Sequence, residues 1–127
     1  MLNQTVLVGR LIEEPTLRKI ENGNSVTNIT LAVPRNYKNQ NGEYETDFLN
    51  CVLWQGIAER TCEYCKKGDL MAIKGRIESK MIETKKGDKV STMELVAEKV
   101  TFLSSKISKE KDTEVDDSIP YEENIKI

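Results

Sequence analysis

Residues 47–68 read DFLNCVLWQGIAERTCEYCKKG, and the change of period inside that stretch decides the fold. As far as Trp54 the side chains alternate across a strand, so Leu49, Cys51 and Leu53 share one face and Phe48, Asn50, Val52 and Trp54 the other. The first face is uniformly apolar and predicts core. The second sets two large rings around an asparagine, an odd choice for a face meant only for water when aromatics make up 6% of the chain. From Ile57 the spacing turns helical. Ala58, Cys62 and Cys65 fall at i, i+4 and i+7, with Ile57 and Thr61 flanking that stripe. Lys66 and Lys67 suit a last helical turn, and Gly68 the position just past it.

Short apolar segments with turn signals between them extend from this stretch in both directions. Gln4–Ile12 is strand-like, and Gly9 inside it predicts a bulge or bend. A loop over 13–25 carries Pro15 and an Asn22-Gly23 turn signal. Val26–Val33 alternates, and Asn41-Gly42 marks the tip of a long hairpin into Tyr44–Gln55. After the helix, Leu70–Ile82 is strand, KKGD at 85–88 turns the chain, and Val90–Leu103 returns. Three strands, a helix and two strands is the order of an all-β, five-stranded Greek-key barrel of the oligonucleotide-binding (OB) type, with its helix between strands three and four. A mixed sandwich is the alternative that the pattern leaves open. Residues 1–104 form the barrel domain. Residues 105–127 have few apolar residues, many charges and no sustained period, and predict a disordered acidic tail.

The net charge of −2 hides a division between these parts. Residues 1–109 hold 17 Lys+Arg against 14 Asp+Glu, whereas 110–127 hold 2 against 7. A mildly positive body with an acidic tail suits a polyanion partner. No apolar run approaches a membrane span, which predicts no membrane partner. The start MLNQTVLVGR lacks the basic and apolar regions of a secretory signal. A cytoplasmic, nucleoid-associated protein with three reduced cysteines is expected.

Catalytic chemistry finds little to work with. Cys62-x-x-Cys65 has the spacing of a zinc or redox pair, but zinc normally wants four ligands, and the chain has no histidine and one further cysteine. Both thiols fall on the apolar side of the helix and read as core. Glu13, Glu14, Glu43, Glu45 and Asp47 sit beside turns and read as solvated charge. No phosphate-cradling glycine loop or nucleophile elbow appears. No enzyme activity, metal or cofactor is expected.

The strand Leu70–Ile82 says more. Met71, Ile73, Gly75 and Ile77 point one way, and Lys74, Arg76, Glu78, Lys80 and Ile82 the other. Beside the Phe48/Trp54 face, these cations make the surface that single-stranded nucleic acid requires: Lys and Arg for phosphates, rings for exposed bases. Tyr37, between Arg35 and Lys38, extends it. Strict alternation from Val33 would turn Tyr37 inward, so this placement requires Pro34 to reset the register.

With these residues in place, the chain closely resembles the bacterial single-stranded DNA-binding protein family over residues 1–104. The likeness runs through LNQTVLVGRL, EEPTLR, NGNSVTNITLAVPRNYKNQNGEYETDFLNCVLWQGIAE and KKGDLMAIKGRI, in the family's order and spacing. It implies a homotetramer whose subunits first pair partly through strand one. It also implies stacking positions at Tyr37, Phe48, Trp54 and Ile82, the last without a ring here. Basic positions matching or neighbouring family contacts are Arg35, Lys67, Arg76 and Lys80, and Glu78 stands where a positive residue is common. In the tail, Asp116-Asp117-Ser118-Ile119-Pro120-Tyr121 resembles the family's terminal motif, with Ile119, Pro120 and Tyr121 as its apolar part. Here six further residues follow Tyr121, whereas the family motif ends the chain.

The resulting expectation is a non-enzymatic protein that binds and protects single-stranded DNA without sequence specificity during replication, recombination and repair. It recruits replication and repair proteins through its tail. Two alternatives remain. One is a phage-encoded, mobile-element-encoded or primosome-type accessory protein on the same barrel. The other is a protein-interaction module using the Phe48/Trp54 face as an apolar patch.

Overall fold

Three turns of one design set the strand pairing. At Ile20–Asn24, Asn39–Glu43 and Thr84–Asp88 the first residue's N–H donates to the fifth residue's carbonyl, at 3.0, 2.8 and 2.7 Å. Its own carbonyl accepts from the fourth residue, a glycine with φ of 88°, 79° or 85°. That is a three-residue hairpin loop with glycine in the left-handed position. At the second turn the Asn39 side chain also accepts from the N–H of Asn41 (2.9 Å) and of Glu43 (3.0 Å).

The computed structural model describes residues 1–103. Its elements are β1 (Thr5–Leu11), β2 (Arg18–Lys19), β3 (Ser25–Lys38), β4 (Tyr44–Trp54), α1 (Gln55–Tyr64), β5 (Leu70–Glu83) and β6 (Lys89–Phe102). The sheet order is β1-β5-β6-β4-β3-β2, and a further β1–β3 pairing closes the five long strands into a barrel. All pairings are antiparallel except β4 with β6, where Cys51 lies opposite Leu95 and Val52 opposite Val96. This is the expected five-stranded barrel, with α1 between its third and fourth long strands. β2 is an addition, a two-residue strand laid on Val26 and Ser25 inside the stretch expected to be loop.

Leu11, Ile29, Leu31, Leu53, Met71 and Ile73 fill the barrel, each at most 2% exposed, and α1 closes one end with Ala58. The helix departs from its expected stripe. It ends at Tyr64, so Lys66 and Lys67 lie beyond it, and Ala58, Thr61 and Cys65 are the buried positions while Cys62 is half-buried. Thr61 occupies the place expected for Cys62, and its hydroxyl is buried without a hydrogen-bond partner. Gly68 serves a separate turn, Lys66–Asp69, and donates to the Leu11 carbonyl at 2.7 Å.

Gly9 makes no bulge, since it pairs regularly with Met71. It allows β1 to press onto β3, where a Cβ would lie 2.7 Å from the Ala32 carbonyl oxygen. Asn3 extends β1 past its last pair: its side chain donates to the Ile77 carbonyl (2.6 Å) and accepts from the Ile77 N–H (3.0 Å).

All three cysteines are free thiols. Burial pushes Cys51 up to about 11, and burial, then Asp69 and Cys62, push Cys65 up to about 12. The unfolded chain releases these protons near 9.0, the ordinary value, so the folded form binds them more tightly. Stability should therefore be fully present below pH 9 and fall as pH rises from about 9 towards 12, by at most ~1.4 kcal/mol per thiol per pH unit. Urea midpoints against pH, with the Cys51→Ala/Cys65→Ala variant as reference, check this. Equal slopes for the two proteins would contradict it.

Candidate nucleic-acid interface

Alternation along β4 puts Tyr44, Phe48 and Trp54 on its outer face. Phe48 is 62% exposed, Tyr44 59% and Trp54 36%. Trp54 lies six steps along the strand from Phe48, about 20 Å at the usual rise. Asn50 between them accepts from the Thr30 hydroxyl at 2.6 Å. Val52, expected on the exposed face with the rings, is buried. It meets Val26 and Val96 under Ile20, the first residue of the turn between β2 and β3.

Trp54 ends β4 and caps α1 without a side-chain capping bond, so its ring is not spent on the helix terminus. Gln55 then takes a φ of 56°, the one non-glycine residue among those described in the left-handed region, and swings the chain from strand into helix. The direction in which Trp54 leaves the sheet is set at that residue.

The register of β3 on β4 slips by two residues between Pro34 and Lys38, where the sequence required an irregularity. Its effect differs from the expected one. Arg35 holds the Asp47 carboxylate from Nε (3.2 Å) and Nη2 (2.9 Å), and its guanidinium lies 6.0 Å from the Tyr37 ring. Arg35 and Tyr37 therefore accompany Asp47, whose neighbour Phe48 points the opposite way along the strand. Tyr37 is exposed, but it is grouped with Arg35 and not with Phe48. Lys38 lies opposite Tyr44, with its ammonium 5.8 Å from that ring. Tyr44 was missed as a candidate, although it lies four residues before Phe48 at the same parity.

On β5, Lys74, Arg76, Lys80 and Ile82 share a face as expected. Arg76 lies opposite Val96, and Val96 opposite Val52, so the register joins this stripe to the outer face of β4. Ile82 stands opposite Val90 near the hairpin tip, both partly exposed. Lys67 is set apart, in the turn before β5 and about 40 Å of strand from Ile82. Lys74 lies directly opposite Lys99. Lys99 also borders a depression of about 260 Å³ between α1 and β6, together with Arg60 and the apolar Ile57 and Phe102.

Two cations of the β5 stripe hold carboxylates. Arg76 donates to Glu78 (2.8 Å) and Glu98 (3.2 Å), and Lys80 lies 3.8 Å from Glu94. The Asp47 hydrogen bond raises Arg35 above its ordinary value, and the same bond holds Asp47 below the usual carboxylate range. Glu78 and then Glu98 raise Arg76. No group of three or more metal-ligating side chains occurs among the described residues. The tail candidates Asp116, Asp117, Ile119, Pro120 and Tyr121 lie outside the described residues.

Among the described residues, no helix is long and apolar enough to cross a membrane. The chain is similar to single-stranded DNA-binding protein B of Bacillus subtilis (strain 168), with 44% identity over 106 residues that make up 84% of this chain and 94% of that protein. It is 48% identical over 103 residues to the single-stranded DNA-binding protein of Halalkalibacterium halodurans, covering 81% of this chain and 61% of that one. For the single-stranded DNA-binding protein of Enterococcus faecalis the figures are 44% over 110 residues, 87% and 58%. The chain thus spans less than two thirds of the last two. A family model described as the single-strand binding protein family matches residues 2–103, almost the whole barrel, and the chain belongs to that family.

Proposed function

We propose that this chain binds single-stranded DNA without sequence specificity and protects it during replication, recombination and repair. The observation that carries the proposal is the outer face of β4, where Phe48 and Trp54 stand exposed and the register links them to the cations of β5. Stacking asks only for a base's flat face and ion pairing only for a phosphate, so neither contact reads sequence. The family is one of non-enzymatic DNA-binding proteins. Lys67, Tyr37 and Ile82 enter the proposal from the resemblance, as outlying contacts.

Two further parts belong to the same proposal. The working form is a homotetramer in the cytoplasm, associated with the nucleoid. Val6 in β1 is 65% exposed and supplies apolar surface for pairing between subunits. Residues 105–127 form a separate acidic segment through which Asp116, Asp117, Ile119, Pro120 and Tyr121 recruit replication and repair proteins.

Trp54 is the chain's one tryptophan, so its fluorescence reports on this face directly. Titration with oligo-dT should quench it, and log affinity should fall linearly with log salt, by about 0.7 per phosphate neutralised. An unquenched signal with no binding would overturn the proposal. Quenching by a protein partner but not by oligo-dT would favour the interaction module instead.

A further inference from the structure

Among the described residues, every ion pair falls on a cation proposed for DNA contact, Arg76 and Lys80 on the β5 stripe and Arg35 beside the outlying Tyr37. Arg35 is held by Asp47 (2.9 Å) and Glu45 (3.4 Å), Arg76 by Glu78 and Glu98, and Lys80 by Glu94. Lys74 and Lys99, directly opposite each other on β5 and β6, are in no ion pair among the described residues. Like charges directly opposed on neighbouring strands disfavour a sheet. Glu78 and Glu94 are also directly opposed, but there Arg76 and Lys80 compensate.

A phosphate approaching Arg35 finds its planar fork already filled. Nε and Nη2 both point at Asp47, in the two-pronged arrangement that a phosphate would also use. Arg76 reaches one carboxylate on its own strand and one on β6. Displacing either glutamate leaves it beside the incoming backbone, where it repels the phosphate or must take up a cation from solution. The exchange therefore releases few counterions overall, whereas a phosphate that meets Lys74 or Lys99 releases its own in full.

Resting on the reading that this face binds single-stranded DNA, we propose that the strand enters by exchange. Phosphates displace Glu78 and Glu98 from Arg76, Asp47 and Glu45 from Arg35, and Glu94 from Lys80. These five carboxylates are built-in competitors that set how tightly the face holds DNA and how steeply that hold depends on salt. Lys74 and Lys99, with Lys38 and Lys67, are in no ion pair among the described residues and carry most of the salt dependence.

The test uses the full chain, fluorescently labelled oligo-dT and anisotropy at several salt concentrations. Glu78→Gln/Glu98→Gln keeps the shape at Arg76 but removes the charges. It should steepen the slope of log affinity against log salt by about 0.7, which amounts to roughly fivefold tighter binding at a salt concentration one decade below 1 M. Lys74→Ala should flatten the slope of the unaltered protein more than Arg76→Ala does. Surface ion pairs add little to folding, so the variants should keep their thermal midpoints, and Asp47→Asn at Arg35 gives a second, separate case. Glu83→Gln, on the same strand and in no ion pair among the described residues, measures the general effect of removing one negative charge. If the double variant gains no more per charge than Glu83→Gln, or binds more weakly, the exchange is wrong while the DNA-binding reading stands. If the unaltered protein does not bind oligo-dT, both fall.

Discussion

Trp54→Ala weakens binding to oligo-dT by about 1–3 kcal/mol, the range for one base stacked on one ring. The ring is 36% exposed, enough to offer a base one face, and Trp54 lies opposite Val26 on β3. It makes no helix-capping bond, so truncation leaves α1 with the same backbone start. Some packing is lost, and for that reason Trp54→Phe is the informative companion: it keeps a flat ring and should retain most of the affinity. Because the substitution removes the chain's own reporter, a labelled oligonucleotide measures binding, and far-ultraviolet circular dichroism checks the fold. Unchanged affinity in the alanine variant would remove Trp54 from the DNA path.

Gly75→Ala, by contrast, should damage the barrel itself. At Gly75 the β5–β6 register shifts, with Lys74 opposite Lys99 and Gly75 opposite Ala97, so Glu98 is the extra residue. A Cβ there would run into the Val96 carbonyl oxygen and come within 3.2 Å of the Ala97 Cα. Both obstacles are backbone in the longest ladder of the sheet, so no rotamer change relieves them. The cost should reach or exceed about 3 kcal/mol, the upper part of the range for overpacking. Gly56→Ala is the control. It lies in α1 with open space around its Cβ direction, and alanine there should stabilise by about 0.5–1 kcal/mol. Urea midpoints of the two variants measure the contrast, and a Gly75→Ala protein as stable as the original would show that the bulge can yield.

Local signals carried most of this architecture. The Asn-Gly pairs at 22–23 and 41–42 announce their turns because only a left-handed glycine completes them, and the break from period two to helical spacing after Trp54 announces α1. What escaped depends on partners distant in the chain. β2 is two polar residues, Arg18 and Lys19, with no period to detect, and it exists because β3 offers an edge. Val52 obeys the alternation and is buried all the same, since its cover comes from Ile20, thirty-two residues earlier in the sequence. Thr61 in place of Cys62 reflects the angle at which α1 meets the barrel, which helical spacing alone does not specify.

The candidate face divides in the same way. Phe48 and Trp54 follow from parity along a single strand, and so would Tyr44 have done. The grouping of Tyr37 with Arg35 and Asp47 required the two-residue slip after Pro34, whose position the sequence indicated but whose outcome it did not. The carboxylate partner of Arg76 on β6 lies twenty-two residues away and reaches it only through the register shift at Gly75. Charge composition counts such residues without pairing them.

The parallel contact between β4 and β6 also affects how the chain is made. β3 and β4 can pair as soon as the ribosome has produced them, but most of β1 has to wait for β5, whose first pairing residues come about sixty positions later. At about 5–20 residues per second, that delay is roughly 3–12 s. The free edge of β4 waits about 44 positions, until Leu95 and Val96 arrive. Until β5 arrives a nascent chain displays both unsatisfied strand edges, the kind of surface that neighbouring polypeptides on the same message can join. β5 covers β1 and β6 covers β4, so release of a finished barrel is tied to completion of nearly the whole described segment.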